Sequence, residues 1–106
     1  MARALITMPS TARRGEVIEI RTLINHPMET GYRRDADGTL QPRDILRRFS
    51  CRYDGELVFS ADLNAAIAAN PYIGFFTVAV ASGVLSFSWE GDNGFAQTES
   101  RTITVT

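Results

Sequence analysis

Apolar and polar residues alternate along most of this chain, which is the pattern of strands with one buried face. Segment 16–25 predicts one such strand, with Ile18, Ile20 and Ile24 on its inward face. Two further stretches repeat the alternation, and their inward positions are Phe49, Cys51 and Tyr53 in one and Leu85, Phe87 and Trp89 in the other. The period of two therefore predicts β-strands over most of the chain.

Turn residues separate these strands. Asp54-Gly55 predicts a tight hairpin, and 91–94 (Gly-Asp-Asn-Gly) predicts a second one, since Asn and Gly tolerate the positive φ of such turns. After the first hairpin, Leu57 and Phe59 continue on the return strand. Residues 3–8 and 95–106 have the composition of a first and a last strand.

Two segments depart from simple alternation. Asn64–Asn70 is the only helix-like piece, and it ends before Pro71 because the residue that precedes a proline avoids the helical region. Tyr72–Ala81 is apolar on both faces, which is typical of a central strand covered on both sides.

About seven strands, closely spaced turns and almost no helix predict an all-β fold, an immunoglobulin-like antiparallel β-sandwich. A closed barrel or a jelly roll is the alternative architecture. The length of 106 residues predicts a single domain over 1–106.

Composition excludes several classes of function. The net charge of −1 predicts no general attraction to nucleic acid or to a membrane surface, and no segment is as apolar as a membrane helix. The charge is unevenly placed: residues 1–52 hold ten Arg and six acidic residues, whereas residues 53–106 hold one Arg and six acidic residues. Such asymmetry marks either a docking surface or a sandwich whose faces differ in sign.

No catalytic, cofactor-binding or metal-binding site is predicted. His26 is the only histidine and Cys51 the only cysteine, so neither a catalytic triad nor a cysteine-based zinc site is indicated. Cys51 is expected to point inward, away from the neighbouring arginines, and to be inert. Asp35-Ala-Asp37-Gly38 begins like a calcium loop, but the twelfth position of that loop is Leu46 instead of Glu. A β-turn at the tip of a loop is the simpler interpretation.

The segment 26–38 is a long polar excursion that a minimal sandwich does not need. Loops of this length inside a compact domain are either functional or disordered.

The sequence resembles the SoxZ family over essentially the whole chain. The resemblance is carried by 23–34 (Leu-Ile-Asn-His-Pro-Met-Glu-Thr-Gly-Tyr-Arg-Arg), by 68–72 (Ala-Ala-Asn-Pro-Tyr) and by 89–95 (Trp-Glu-Gly-Asp-Asn-Gly-Phe). Shorter matches are 15–20, 42–45 and Phe75-Phe76.

The resemblance implies a non-catalytic subunit of the sulfur-oxidising (Sox) carrier complex. It implies an immunoglobulin-like fold, a heterodimer with a SoxY subunit, and transient contact with other Sox enzymes and cytochromes. In that family the C-terminal cysteine arm of SoxY carries the sulfur intermediates of thiosulfate oxidation. The start of this chain lacks a secretory signal pattern and alone indicates the cytoplasm, whereas the resemblance implies a periplasmic protein exported with its signal-bearing partner.

Interface candidates follow from residue type. Tyr, Met and Arg are enriched at interfaces, and an apolar strand surface beyond what one sheet face can bury suits the same role. The candidates are His26, Met28, Tyr32, Arg33, Arg34, Tyr72, Phe75 and Phe76. For Tyr72, Phe75 and Phe76, burial in the core of a central strand is the alternative.

Two rival functions remain at this stage. A stand-alone β-sandwich used in adhesion or carbohydrate binding predicts exposed aromatic residues that form a ligand platform. A small hydrolase or thiol enzyme would use His26 or Cys51.

Overall fold

The computed structural model describes residues 2–106, which form eight β-strands and no α-helix. The strands are β1 (Ala4–Thr7), β2 (Thr11–Ala12), β3 (Val17–Ile24), β4 (Leu46–Tyr53), β5 (Glu56–Asp62), β6 (Tyr72–Val78), β7 (Gly83–Gly91) and β8 (Ala96–Val105). A single 3-10 turn, Asp92–Gly94, joins β7 to β8. The strand beyond the expected seven is the two-residue β2.

The strands form two sheets. One is antiparallel with the order β1-β3-β6. The other has the order β2-β8-β7-β4-β5 and is antiparallel except for the parallel pair of β2 and β8. The buried side chains of both sheets form one core cluster, which confirms the immunoglobulin-like β-sandwich.

The inward positions predicted from alternation are all buried. Ile18, Ile20 and Ile24 are buried in β3, together with Thr22, whose hydroxyl donates to the Ile73 carbonyl at 3.0 Å. The other predicted inward residues lie in the same core: Phe49, Cys51, Tyr53, Leu85, Phe87 and Trp89.

An aromatic cluster joins the two sheets. The ring centroid of Phe49 is 5.3 Å from that of Trp89 and 6.0 Å from that of Phe75. Phe59 of β5 and Phe75 of β6 stack with their centroids 4.4 Å apart. Aromatic pairs contribute about 0.5–1.5 kcal/mol beyond their buried area, so this cluster holds β5 and β6 together across the sandwich.

β6 is an edge strand, so its prediction as a central strand was wrong. It pairs only with β3 and lies at the end of the three-stranded sheet. Phe75 points into the core, whereas Tyr72 and Phe76 point outward and are 61% and 65% exposed. Because these outward residues are apolar too, the segment has the sequence pattern of a strand that is buried on both faces. This pattern predicts a central position.

The predicted helix-like piece Asn64–Asn70 folds as turns. Asn64 Oδ1 accepts the Ala66 N–H at 2.9 Å, and the Ile67 N–H donates to the Asn64 carbonyl at 3.1 Å. Asn70 has a positive φ of 54°, which no helix residue adopts. A segment of this length is too short to form a stable helix without a buried face, and local side-chain hydrogen bonds replace it.

A candidate partner-binding face

The outer face of the three-stranded sheet is apolar. Strand register places Leu5, Leu23 and Tyr72 in one row, and Val17 beside Val78 in another. The apolar face is defined here as Leu5, Val17, Leu23, Tyr72, Phe76 and Val78. Apart from the half-buried Leu23, these side chains are between 42% and 65% exposed. Contiguous exposed apolar side chains on a sheet are typical of an interaction surface.

One ion pair lies within this face. Arg21 Nη2 is 2.9 Å from Glu19 Oε1, and both side chains are about half exposed. Register places Arg21 opposite Gly74 and Glu19 opposite Phe76. An exposed pair of this kind contributes little to stability, but two fixed charges within an apolar surface can select the orientation of a partner.

The outer face of the five-stranded sheet has a different composition. Register aligns the hydroxyl-bearing residues Ser60, Ser50, Ser88 and Thr98 in one row across four strands. The Ser88 and Thr98 hydroxyls lie 3.0 Å apart and hydrogen bond to each other. This face is that of an ordinary solvated sheet, and the contrast singles out the apolar face as the candidate site.

His26 is buried and fastens the start of the excursion. Its Nδ1 accepts the Met28 N–H at 3.0 Å, and its ring contacts Phe95 edge-on with centroids 5.3 Å apart. Its backbone N–H donates to Asn70 Oδ1 at 3.0 Å, and its carbonyl accepts the Asn70 N–H at 2.8 Å. The Nε2 atom lies 3.7 Å from Asp44 Oδ1. Burial lowers the pKa of His26, although the nearby Asp44 and Asp92 act in the opposite direction.

Met28 is an anchor of the same loop. Its side chain is buried, its φ is 49°, and its sulfur accepts the Leu46 N–H at 3.2 Å. His26, Met28 and Phe75 therefore belong to the core of the isolated chain, and none of the three offers a free side chain to a partner. Their apolar or aromatic character, which suggested an interface, serves internal packing.

The other five predicted interface residues lie on the surface in two groups. Tyr72 and Phe76 belong to the apolar face, whereas Tyr32, Arg33 and Arg34 lie on the excursion. Tyr32 is 86% exposed. Arg33 pairs with Glu29 at 2.6 Å, and Arg34 Nη1 donates to the Gly38 carbonyl at 2.8 Å. Both arginines are thus engaged within their own loop.

Sequence reasoning missed four members of the apolar face: Leu5, Val17, Leu23 and Val78. For two of them, the alternation in the sequence already indicates an outward position. Val17 and Leu23 share the parity of Glu19 and Arg21, so they belong to the outward face of β3. Leu5 and Val78 become recognisable only when strand pairing places them beside these residues.

The segment between the excursion and β4 is fixed to the sandwich by hydrogen bonds to Asp92. Asp92 accepts two hydrogen bonds from Arg43, at 2.8 and 2.9 Å, and one from the Ile45 N–H at 3.2 Å. Burial favours a raised pKa for Asp92, but the Arg43 and Ile45 donors outweigh it and hold this pKa below its ordinary value. A bidentate charge-assisted pair of this kind is geometrically specific, so the loop has a defined position.

The tip of the excursion is a turn, as predicted. The Gly38 N–H donates to the Asp35 carbonyl at 3.1 Å, and Asp37 Oδ1 accepts the Thr39 N–H at 2.9 Å. Within residues 2–106, no three His, Cys, Asp or Glu side chains are arranged to hold a metal ion.

Cys51 is fully buried in β4. Burial raises the pKa of its thiol to about 12, so the thiolate is scarce at neutral pH. The neighbouring Arg48 and Arg52 are exposed on the opposite side of the strand. Since the thiolate is the reactive form, we expect this thiol to be unreactive in the folded chain.

No helix in residues 2–106 is long and apolar enough to cross a bilayer. No curated protein sequence matches the chain. Similar solved structures include a superoxide reductase (neelaredoxin) from Ignicoccus hospitalis, which is 13% identical with a TM-score of 0.72 over 99% of this chain and 82% of that one. The sulfur carrier protein SoxY from Chlorobium limicola f thiosulfatophilum is 15% identical with a TM-score of 0.68 over 97% of this chain and 78% of that one. At these identities the likeness shows the shared fold alone.

The sequence profile of one family covers nearly the whole chain. The profile described as "Sulphur oxidation protein SoxZ" matches residues 6–102. The matched region runs from β1 into β8 and includes both sheets, the excursion and every residue of the apolar face except Leu5. The chain therefore belongs to the SoxZ family and has a role in Sox sulfur oxidation.

Proposed function

We propose that this chain is the non-catalytic scaffold subunit of a heterodimeric sulfur carrier, and that it binds a SoxY-like subunit through the apolar face. The partner's C-terminal cysteine arm carries the sulfur intermediates of thiosulfate oxidation. Family membership supports the pathway. The observation that carries the pairing is the exposed apolar outer face of the three-stranded sheet, which has no counterpart on the hydroxyl-rich outer face of the other sheet.

The apolar face suits a stable interface. Fully burying an aliphatic or aromatic side chain contributes about 1.5–3 kcal/mol, so the burial of six side chains that are about half exposed contributes roughly 1 kcal/mol each. A micromolar complex corresponds to about 8 kcal/mol. The face can therefore supply a large share of the binding free energy, and the Arg21–Glu19 pair supplies orientation.

The state of Cys51 supports the division of labour between the subunits. A sulfur carrier needs a thiol that is exposed and reactive as thiolate, whereas Cys51 is fully buried and has its pKa raised to about 12. The last residue, Thr106, donates its N–H to the Ala12 carbonyl at 3.0 Å and accepts the Arg14 N–H at 3.1 Å. These two hydrogen bonds hold Thr106 against residues 12–14.

A charge substitution on each outer face tests the pairing. Phe76→Glu places a carboxylate in the apolar face. Thr102→Glu places the same group on the hydroxyl-rich face, where Thr102 is exposed on β8 with the parity of Thr98. Calorimetric titration with a SoxY-like subunit should show binding of Phe76→Glu weakened by about 100-fold or more, since the complex would bury an unpaired charge. The Thr102→Glu control should bind like the unmodified chain. Equal affinity of both variants, or no binding by the unmodified chain, would contradict the proposal.

We place the complex in the periplasm, where the chain would arrive with its signal-bearing partner and meet other Sox enzymes and cytochromes transiently. Cell fractionation with and without the partner gene tests this. The chain should move to the cytoplasmic fraction when the partner is missing. An unchanged distribution would contradict co-export.

The exposure of Tyr72 and Phe76 also fits the stand-alone binding module as a second candidate. The Tyr72 ring lies over Gly74, since a Cβ at that position would be 3.2 Å from the Tyr72 hydroxyl. Two exposed rings on one strand could stack on a sugar. Binding on a glycan array that is lost in Phe76→Ala would favour this function over the carrier scaffold.

A further inference from the structure

The four strand edges of the sandwich differ in how they are protected. Exposed edges invite pairing with another chain, and proteins block them with short strands, charges, prolines or bulges. β2 has two residues and β1 has four. The start of β1 is also tied to the other sheet, because Gln97 exchanges hydrogen bonds of 3.0 and 2.8 Å with the backbone of Ala2. β5 carries Glu56 and Asp62 and pairs with β4 across a register shift.

β6 lacks these protections. Its seven residues, Tyr-Ile-Gly-Phe-Phe-Thr-Val, include no charge and no proline. Its pairing with β3 runs without a register shift from Tyr72 to Val78. β6 is therefore a long, regular, apolar edge of the type that otherwise promotes aggregation.

The free backbone groups of β6 can be assigned from its ends. The Ile24 N–H donates to the Pro71 carbonyl at 3.3 Å, and the Ala79 N–H donates to the Glu16 carbonyl at 2.8 Å. Hydrogen-bonded pairs alternate along an antiparallel ladder, so the odd-numbered residues between these two points bond to β3. The even-numbered residues Tyr72, Gly74, Phe76 and Val78 direct their N–H and carbonyl groups to the free edge.

Space is available beside this edge. An open groove of about 440 Å³ lies between β5 and the second half of β6. Its lining includes Val58, Thr77, Val78 and Val80. Asp54 and Glu56 line the same groove, so an added strand would meet apolar and acidic side chains on its inner side as well as free backbone groups at its edge.

We propose that one extended strand of the SoxY-like partner pairs with β6 and continues the three-stranded sheet across the interface. This inference rests on the proposed function. Tyr72, Phe76 and Val78 belong both to β6 and to the apolar face. One partner can therefore cover the apolar side chains and hydrogen bond to the free backbone groups of β6 at the same time. The SoxY fold is itself a match to this chain over 78% of its length, so a partner of that fold has strands of suitable length to offer. Strand addition gives affinity through the main chain and specificity through alternate side chains.

Residue-resolved amide exchange tests the pairing. The labelled chain is measured by NMR alone and with saturating unlabelled SoxY-like subunit. The amides of Ile73, Phe75 and Thr77 should exchange slowly in both samples. Those of Tyr72, Gly74, Phe76 and Val78 should slow by about 100-fold or more only in the complex, since hydrogen bonding to the partner protects them.

Each other result of this experiment overturns the inference in a distinguishable way. A complex that forms while the four even-numbered amides still exchange rapidly overturns strand addition and leaves the proposed function standing. Failure to form any complex overturns both. Protection that appears without partner and grows with protein concentration assigns the edge to a second copy of this chain.

A pair of variants separates backbone pairing from simple coverage. Gly74→Pro removes the N–H that faces the free edge, and Gly74→Ala keeps it while adding a Cβ at the same position. Neither change removes a hydrogen bond within the chain, since proline is tolerated where a strand N–H faces outward. We expect Gly74→Pro to bind the partner at least about 10-fold more weakly than Gly74→Ala. Equal affinities overturn the inference, and if Gly74→Pro fails to fold, the exchange pattern of the unmodified chain decides.

Discussion

Acidification should weaken the fold through His26, whose environment is built for the neutral ring. The side chain of His26 is only 3% exposed, and its Nδ1 accepts the Met28 N–H at 3.0 Å. Protonation turns Nδ1 into a donor that faces another donor. Losing this acceptor leaves the buried Met28 N–H unpaired, which costs about 1–3 kcal/mol.

The direction of the pH dependence follows from the pKa. In the unfolded chain histidine takes up a proton near its ordinary pKa of about 6.5. Burial holds the pKa of folded His26 lower, in spite of Asp44 and Asp92. Between the two values the unfolded state binds more protons, so the contribution is fully present above about pH 6.5 and is lost as the pH falls.

Urea unfolding followed by the fluorescence of Trp89, the single tryptophan and a core residue, measures this effect. The matched variant is His26→Asn, whose Oδ1 can accept the Met28 N–H as in an Asx turn but does not titrate. Its stability at about pH 7.5 should be lower because the contact with Phe95 is lost. Its stability should change little between about pH 7 and pH 5, a window above most carboxylate titration. If the variant loses stability over this window as steeply as the unmodified chain, the reasoning about His26 is wrong.

Three further predictions use the same unfolding assay or a thiol reagent. Gly91→Ala should destabilise the chain by about 2 kcal/mol or more, because the new Cβ would lie 2.7 Å from the backbone oxygen of Ile45; unchanged stability would show that the backbone relaxes there. Tyr53→Phe should cost about 1 kcal/mol, since the carbonyl of Ala81 loses the buried tyrosine's hydroxyl that donates to it; no change would mean that water replaces the hydroxyl. Cys51 should react with an aromatic disulfide reagent only at the rate of unfolding, because its pKa is raised to about 12; fast labelling of the native chain would contradict this.

The fold was largely predictable because alternation and turn chemistry report local geometry. The inward residues of β3, β4 and β7 follow from parity alone. Asp54 and Gly55 form the expected hairpin turn, with φ of 49° and 86°. Neither property depends on which strands are neighbours, so both can be recognised in the sequence.

The candidate site was predictable only in part, since it depends on strand neighbours. Tyr72 and Phe76 were recognised as excess apolar surface. Met28 was chosen by residue type, but its positive φ and its sulfur contact with Leu46 direct it inward. His26 was chosen in the same way, although the Asn70 contacts that fix it join segments 44 residues apart. Long-range contacts of this kind leave no local pattern.

The error about β6 and the location of the apolar face have one cause. A two-layer sandwich buries one face of each sheet and leaves the other face in solvent. The five-stranded sheet follows this rule, since its outer face is rich in hydroxyl groups, including those of Ser50 and Ser88. The outer face of β6 does not, since Phe76 remains 65% exposed. A strand that is apolar on both faces but lies at a sheet edge can bury its outward side chains only when another molecule covers that face. The same residues that predict a central strand in the isolated sequence therefore mark the side on which the second subunit completes the structure.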